Sequence, residues 1–582
     1  MELSKFCKIC NSNNLVKFVS FGKMPVANAF LTREQLTKIE SGQEREYSYD
    51  MEVGFCGNCK MVQLINIVPY NRYIVPDEKG KTNYAFFSST SKVMEQHFAD
   101  IAKKIEDNFL VFSSKILEIG SNDGIFLKAF KNHKVLGIEP SQNVAEIAQG
   151  HGIETITDFF SEKLAEKIFS KNGKFRIIFS ANVILNIIDL HDLLRGINIL
   201  LEDEGVFVFE DPYIADILEK TSYDQIYDEH VWYFSLTSLK SLLEMHDMEI
   251  FDAEKQDVHG GSMRVYACKK GKKTKTERFL NYLKEEKEKK IDNLQPYLDF
   301  AKRTEESKKE LVKLLHDLKS HGKKIVGYAA ASKGTIVLNY CNIGKEILDY
   351  ISDSTPYKQG LYSPGKHIPI VSPEDFHQDK NVDYVLLGAW NHAKEIISKE
   401  QKFTERGGKF LVHYPMARIL ETETNNANNS KIKFVNDLIE IKKLNIFAND
   451  QGYSFETIRA DDKIYRGKFG QVFVSILYPG VIKGWHLHHK QTEYTTCIKG
   501  DIKYVALKEN PDGTKSVQVL TIGERNPIVV YVPTGIWHGY TSLSNSEAVT
   551  MHLMDKPYDI KDPDTDRKDP YEFGDFLSVK NG

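Results

Sequence analysis

Three stretches of this sequence hold residue types at spacings that chemistry uses. Residues 484–494 read GWHLHHKQTEY, inside a wider pattern of Gly480, His486, His488, Glu493 and Gly500, with Pro533, Gly535 and His538 downstream. Alternation along a strand puts His486 and His488 on one face. Three imidazoles and a carboxylate could hold a divalent metal, and a histidine so placed could equally be a general base. Cys7-x-x-Cys10 and Cys56-x-x-Cys59 form the second set. Four soft thiolates on two tight turns suit a closed, tetrahedral, structural zinc site; a redox CxxC is the other reading, though nothing thioredoxin-like flanks either pair. The third set is Glu118-Ile119-Gly120-Ser121-Asn122-Asp123-Gly124, followed by Glu139. Glycines there let a ligand approach the backbone, and an acid ending the next strand could take two ribose hydroxyls. NAD and S-adenosylmethionine both use such an acid, but the full GxGxxG of a pyrophosphate site is missing, which favours the methyl donor over an oxidoreductase.

The elements that must position these groups follow from periodicity. At 582 residues, three or four domains are expected, and 41% hydrophobic content suffices for folded cores. KILEIG (115–120), VLGIEP (135–140), RIIFSANVI (176–184) and GVFVFEDPY (205–213) read as strands alternating with helices, hence a parallel, doubly wound sheet. Residues 276–320 are charged, with Leu311, Leu314, Leu315 and Leu318 at helical spacing, and read as one or two long solvated helices. A second α/β unit follows in KKIVGYAAASKG (323–334), ILDYISDS, DYVLLGAW and KFLVHY; ETETNNANNSK (421–431) reads as a linker. Beyond it, KGDIKYVAL, ENPDG and VVYVPTG have the texture of an all-β domain. Net charge of −4 leaves no electrostatic footprint for nucleic acid or an anionic membrane, and no run is long enough to span a bilayer. MELSKFCKIC lacks a signal-peptide core, and seven cysteines make no disulfide scaffold, so a cytoplasmic location is expected; Cys268, Cys341 and Cys497 read as interior residues.

Taken in order, the two CxxC turns, LEIGSNDG, GIEPSQNVAEIA, YDEHVWYFS (227–235), HGGSMRVYA (259–267), GYAAASKG, LNYCNIG and YSPGKHIPI resemble the nucleotide-sugar 3-C-methyltransferases, over roughly residues 1–420. The resemblance implies S-adenosylmethionine, a structural zinc and an NDP-4-keto-6-deoxyhexose whose ketone acidifies the C3 proton. His230 matches the family's base, with Glu229 and Tyr227 orienting it and binding or polarising the sugar; the bland alternative is a structural histidine in an aromatic turn. Glu118, Gly120, Asn122, Asp123, Glu139 and Asn182 are then the donor-binding set, and Tyr84, Asn186, His259, Arg264 and Lys333 the nucleotide-sugar set, with Arg264 a phosphate partner. One departure stands out. Where the family reads NVLAHIPDL, this sequence reads NVILNIIDL (182–190), so Asn186 replaces a histidine and cannot titrate.

The C-terminal pattern carries the cupin signature, and GWHLHHKQTEY, VPTGIWHGY (532–540) and KPYDIKDPD (556–564) resemble the dTDP-4-dehydrorhamnose 3,5-epimerase branch, which needs no metal. That resemblance implies His486 as base, Tyr558 as acid, His488 and His538 as sugar-binding groups, and a homodimer through the barrel. Glu493 stands near the place of the branch's lysine, leaving His488 or Lys503 to help the enolate. Two alternatives stay open: a metal held by His486, His488, Glu493 and His538, and a non-catalytic sugar-binding or dimerisation module. The expected architecture is therefore multidomain: a zinc-binding lobe (1–75), a Rossmann-like α/β methyltransferase (76–255), a second α/β domain for the nucleotide sugar (256–420), a linker (421–432) and an all-β cupin, or jelly-roll, barrel (433–582). The expected function is C3 methylation and epimerisation at C5 of one 4-keto sugar, with no nucleic-acid or membrane partner.

Overall fold

The computed structural model describes residues 6–72, 89, 92–256, 258–414, 417–420, 432–435, 437–449, 452–479, 481–524, 526–544, 547–570, 572–574 and 576–578. Tyr84 and nearly all of the expected linker lie outside them. The chain divides into two compact units, Met1–Thr422 and Glu423–Gly582. No described helix is long and apolar enough to cross a membrane.

In the first unit β1 (Leu15–Pro25), β2 (Ser48–Cys56) and β3 (Val62–Leu64) surround the CxxC turns. Then come β4 (Lys115–Ile119), β5 (Lys134–Ile138), β6 (Thr155–Ile156), β7 (Phe175–Ala181) and β8 (Leu201–Pro212), followed by β9 (Trp232–Tyr233), β10 (Met248–Gln256) and β11 (Ser262–Lys269). The last group is β12 (Ile325–Tyr328), β13 (Ile351–Ser352), β14 (Ile370–Val371), β15 (Tyr384–Leu387), β16 (Lys409–Val412) and β17 (Arg418–Leu420). Three sheets result, in the orders β1-β2-β3-β9, β10-β11-β8-β7-β4-β5-β6 and β14-β13-β12-β15-β16-β17. β4 to β8 run parallel, as buried Val/Ile/Leu/Phe strands with intervening helices should, while β10 and β11 close the edge antiparallel.

The three lobes expected here share one hydrophobic core, which runs from Cys7 and Phe55 through Leu117 and Ile178 to Leu311 and Leu411. The charged 276–320 segment forms helices Glu277–Glu288 and Gln295–Ser320. The longer helix is solvated on one side only: Tyr297, Phe300, Thr304, Ser307, Leu311 and Leu315, spaced by threes and fours, are buried, the apolar four of them in that core.

The second unit is all-β: β18 (Ile432–Phe434), β19 (Glu440–Lys443), β20 (Ile446–Asn449), β21 (Gly452–Phe455), β22 (Gln471–Leu477), β23 (Ile482–Leu487), β24 (Glu493–Lys499), β25 (Asp501–Glu509), β26 (Lys515–Gly523), β27 (Ile528–Val532), β28 (Trp537–Ser542), β29 (Ala548–Met554) and β30 (Asp566–Arg567). Apart from the β20-β21 ribbon, they make two sheets, β18-β26-β25-β28-β23-β30 and β19-β27-β24-β29-β22. Ile502, Tyr504, Val530 and Tyr540 belong to the core between them.

Candidate functional sites

Cys7, Cys10, Cys56 and Cys59 present their sulfurs within 4.8 Å of one another. The Cys7–Cys59 and Cys10–Cys56 sulfurs are 3.5 Å apart, close to the ~3.8 Å that a tetrahedral Zn–S length of about 2.3 Å requires. Each knuckle closes with a left-handed residue, Asn11 and Lys60, and the Ile9 amide donates to the Cys7 sulfur. The thiols fit zinc. β3 leaves this site only three residues after Cys59 and pairs with β9, Val62 opposite Tyr233, so the zinc lobe holds the segment that follows His230.

At the carboxyl end of β4 the backbone turns through Gly120, Asn122 and Gly124, all with positive φ. A side chain at Gly120 would also drive into Val183, 2.3 Å away. Glu139 braces the turn from the end of β5, accepting the amides of Asn122 (3.1 Å) and Ser141 (2.8 Å). Glu118 Oε2 and Asp123 Oδ1 are buried without a hydrogen-bond partner, and burial, reinforced by Asp123 and Glu139, pushes the Glu118 carboxyl well above its ordinary range. Buried acids short of donors fit a ligand that brings an ammonium group, a sulfonium charge and ribose hydroxyls. Asn182, also at positive φ, donates its amide to the Glu210 carbonyl (2.7 Å) at the neighbouring strand end.

His230 is buried, and its Nδ1 lies 2.9 Å from the Gln225 carbonyl. A carbonyl can only accept, so Nδ1 carries the proton and the neutral ring has its lone pair on Nε2. The Tyr227 ring lies against it, centroids 3.9 Å apart. Glu229 accepts from the Asn28 amide (2.6 Å), and Asp228 from the Ala27 backbone (2.9 Å). Neither Asn28 nor Asp228 was expected from motif spacing, because their partner lies two hundred residues away. Asn186 sits on the turn after β7; Leu185 in that turn accepts the Val231 amide (2.9 Å). Asn186, Asn182 and His230 thus gather at one end of the sheet.

The nucleotide-sugar set divides. Lys333 opens the helix Ser332–Tyr340 with its ammonium 5.6 Å over Trp390; burial lowers its pKa against the pull of Asp224. Trp390 donates to Asp224 (2.6 Å) and borders Gly260, so the HGG turn and Lys333 meet around one indole. His259 lies in that turn, its side chain outside the described residues. Arg264 corrects the expectation. It is buried, with Nε 3.0 Å and Nη2 2.9 Å from Glu210, Nη1 3.3 Å from Glu254 and a further bond to Gln256. Two carboxylates occupy this fork, which leaves it no phosphate role.

In the second unit His486 and His538 face each other across β23 and β28, and Glu493 enters from the other sheet. From Glu493 Oε2 the Nε2 atoms of His538, His488 and His486 lie at 3.2, 3.6 and 4.0 Å. Each Nδ1 faces a backbone carbonyl: Ile536 for His538 (3.0 Å), Asp564 for His488 (2.7 Å, beside the Gln491 amide) and Gly484 for His486 (3.2 Å). Three Nε2 atoms therefore converge on one carboxylate oxygen, with His538 hydrogen-bonded to it, a set of donor atoms that could exchange shared protons for a cation. Glu493 Oε1 is held by His552 (2.6 Å) and Thr495. A cavity of about 690 Å³ opens here, lined by His486, His488, Glu493, Tyr540 and His552, with Lys483, Arg567 and Tyr558 also on its wall. Lys503 is turned to the Ser578 carbonyl (2.7 Å).

Known proteins share these features. Residues 7–73 match a zinc binding domain family, 93–252 a methyltransferase domain, 257–415 the C-methyltransferase C-terminal domain, and 448–566 the polysaccharide biosynthesis C-terminal domain. The C-methyltransferase NovU of Streptomyces niveus is 32% identical over 422 residues, 72% of this chain and 97% of that protein. The "Probable low-salt glycan biosynthesis epimerase Agl13" of Haloferax volcanii is 29% identical over 137 residues, 23% of this chain and 87% of that protein. The spore coat polysaccharide biosynthesis protein SpsL of Bacillus subtilis is 32% identical over 133 residues, 22% of this chain and 87% of that protein. With its tetrathiolate, donor turn and near end-to-end match to NovU, the chain belongs to the zinc-binding, S-adenosylmethionine-dependent C-methyltransferases, extended by a polysaccharide-biosynthesis domain.

Proposed function

We propose that this protein transfers a methyl group to C3 of an NDP-4-keto-6-deoxyhexose and epimerises the same 4-keto sugar at C5. The observation that carries the first step is the His230 tautomer: Nδ1 is committed to the Gln225 carbonyl, so Nε2 is the basic atom of a buried ring. His230 takes the C3 proton, Tyr227 steadies the ring, and Glu229, fixed by Asn28, binds or polarises the sugar. The donor's sulfonium methyl is the electrophile that the C3 carbanion attacks. Glu118 and Asp123 accept from its ammonium group, and Glu139 offers its remaining lone pairs to the ribose. Tyr84 joins the sugar side, and Lys333 the diphosphate, with the HGG turn that contains His259.

For the second unit, four donor atoms within 4.8 Å of one another favour His486, His488, Glu493 and His538 as ligands of a divalent cation over His486 as a free base. Such a cation would polarise the ketone oxygen as a Lewis acid. Lys483 and Arg567 give the cavity wall cationic groups for the diphosphate, and Tyr558 is the acid candidate at its edge. Once C3 bears a methyl and a hydroxyl it has no hydrogen left, so later epimerisation is confined to C5. The edge strand β22 exposes Val472, Val474 and Ile476 and carries no charged residue, which suits pairing with a second copy. Proton NMR in D2O on the methylated product tests the sequence of events: absence of deuterium at C5 excludes the epimerase reading. Metal analysis of the full-length protein and its His538→Ala variant tests the centre. Two metal ions per molecule falling to one supports it; a metal-depleted second site with full C5 exchange returns His486 to the role of base.

A further inference from the structure

The turn between β7 and the next helix is a hub. On one side Val183 packs against Gly120 of the donor turn. On another, the Leu185 carbonyl accepts the Val231 amide, next to His230. Facing the same turn from the end of β8 is Asp211, 3% exposed, in the sequence EDPY. Both its carboxyl oxygens lack a partner at hydrogen-bonding geometry, although the Val183 and Leu185 amides point toward it, and Asn186 Oδ1 is buried and unsatisfied as well. Two unsatisfied polar side chains thus flank the place where donor turn and base meet. Buried polar groups without partners are costly, and they persist where a ligand completes them.

We propose that Asp211 and Asn186 form the hydrogen-bonding couple for the ketone oxygen of the sugar, with Asp211 as the donor. The inference rests on the ketosugar reading above. As the C3–H bond breaks, its proton passes to His230 Nε2 and its electron pair moves through C3–C4 to the C4 oxygen. The Asp211 O–H donates to that oxyanion without transferring a proton, and the Asn186 Nδ2–H, which reaches the Asn182 carbonyl only at 3.5 Å, donates beside it. When C3 takes the methyl group, the S–C bond breaks with its electrons left on sulfur, and the ketone re-forms. Burial pushes the Asp211 carboxyl well above its ordinary range, against the opposing pull of the Leu185 amide and with the Glu210 charge adding to it, which keeps the O–H that donation needs. The couple also gives Asn186 a task for which a titrating side chain is unnecessary.

The full-length protein and its Asp211→Asn, Asp211→Ala and Asn186→Leu variants are assayed with S-adenosylmethionine and whichever dTDP-, GDP- or CDP-4-keto-6-deoxyhexose the wild type turns over. Methyl transfer is followed by mass spectrometry, deuterium wash-in at C3 by NMR, and donor affinity by equilibrium binding. Asp211→Asn, whose amide still donates, stays within about tenfold of wild type. Asp211→Ala loses about 10²–10³-fold in kcat and in C3 exchange, with KM for the sugar and donor affinity little changed. Asn186→Leu loses about tenfold or more in kcat. Full activity in Asp211→Ala or Asn186→Leu overturns the inference. So does an Asp211→Asn loss as deep as that of Asp211→Ala, which would make the group an anion, or a loss of donor binding in Asp211→Ala. A wild type that methylates none of these sugars overturns the ketosugar reading first, and this inference with it.

Discussion

Asp228→Asn should stabilise the first unit, and more so as pH rises. Asp228 is fully buried; Oδ1 accepts the Ala27 amide, while Oδ2 and the nearby hydroxyls of Tyr49 and Tyr233 are all unsatisfied. Burial, with the adjacent Glu229 charge adding to it, pushes its carboxyl from 3.8 up to about 7. A group whose folded pKa is raised binds its proton more tightly in the native state. Its stabilisation is therefore full below pH 3.8 and is lost progressively up to pH 7. At ~1.4 kcal/mol per pH unit that loss is about 4 kcal/mol; because Glu229 shares the titration, about 2–4 kcal/mol belongs to Asp228 alone. Asparagine keeps the carbonyl that accepts from Ala27, supplies an N–H for the tyrosine hydroxyls and never ionises. An unfolding entropy of ~2.1 cal/mol/K per residue over the unit converts this to about 2–5 °C in Tm. Differential scanning calorimetry at pH 5, 6, 7 and 8 should show the variant's advantage growing up to about pH 7 and level above it. A constant Tm difference, or one that shrinks as pH rises, refutes the reasoning.

Other perturbations separate the parts of the machine. Cys59→Ser should release the zinc, and with it the support that β3 gives β9, so methylation falls at least about tenfold while deuterium exchange by the second unit persists; atomic emission and the two activity assays check this. Gly120→Ala places a Cβ 2.3 Å from Val183 at φ +74, and should abolish donor binding by calorimetry with a stability loss of about 1–3 kcal/mol. His230→Gln should lower methyl transfer about 10²–10⁴-fold with donor affinity unchanged, and unchanged turnover would remove His230 from the base role.

What the sequence disclosed was local. Two CxxC turns, a glycine turn with an acid one strand later, and period-two histidines each lie within a few residues, and local spacing is what dihedral geometry fixes. Partnerships made across strands were not legible. Arg264 follows a glycine turn and has the look of a phosphate ligand. In register it stands opposite Glu210 on β8 and Glu254 on β10, and both carboxylates reach its guanidinium. No spacing in the HGGSMR stretch announces a pairing 54 residues upstream. Asn28 and Asp228 were missed for the same reason, since their contacts join the zinc lobe to the YDEH turn.

His486 shows where the boundary falls. Its spacing from His488, Glu493 and His538 invited a ligand, and the resemblance to the epimerases a base; both uses want a neutral imidazole on a cavity wall. The difference lies in what the far side of each ring touches. A base has one ring nitrogen aimed at substrate; a ligand set has several ring nitrogens gathered on one carboxylate. Three separate carbonyls, from Gly484, Ile536 and Asp564, each face the Nδ1 of one ring, and each Nε2 is turned toward Glu493. Two of those carbonyls lie two residues before the histidine they orient, and the third is 76 residues beyond His488. That third contact comes from a loop with no metal-ligand spacing of its own, so it is the tertiary fold, through main-chain atoms that carry no sequence identity, that gathers the three rings around one carboxylate.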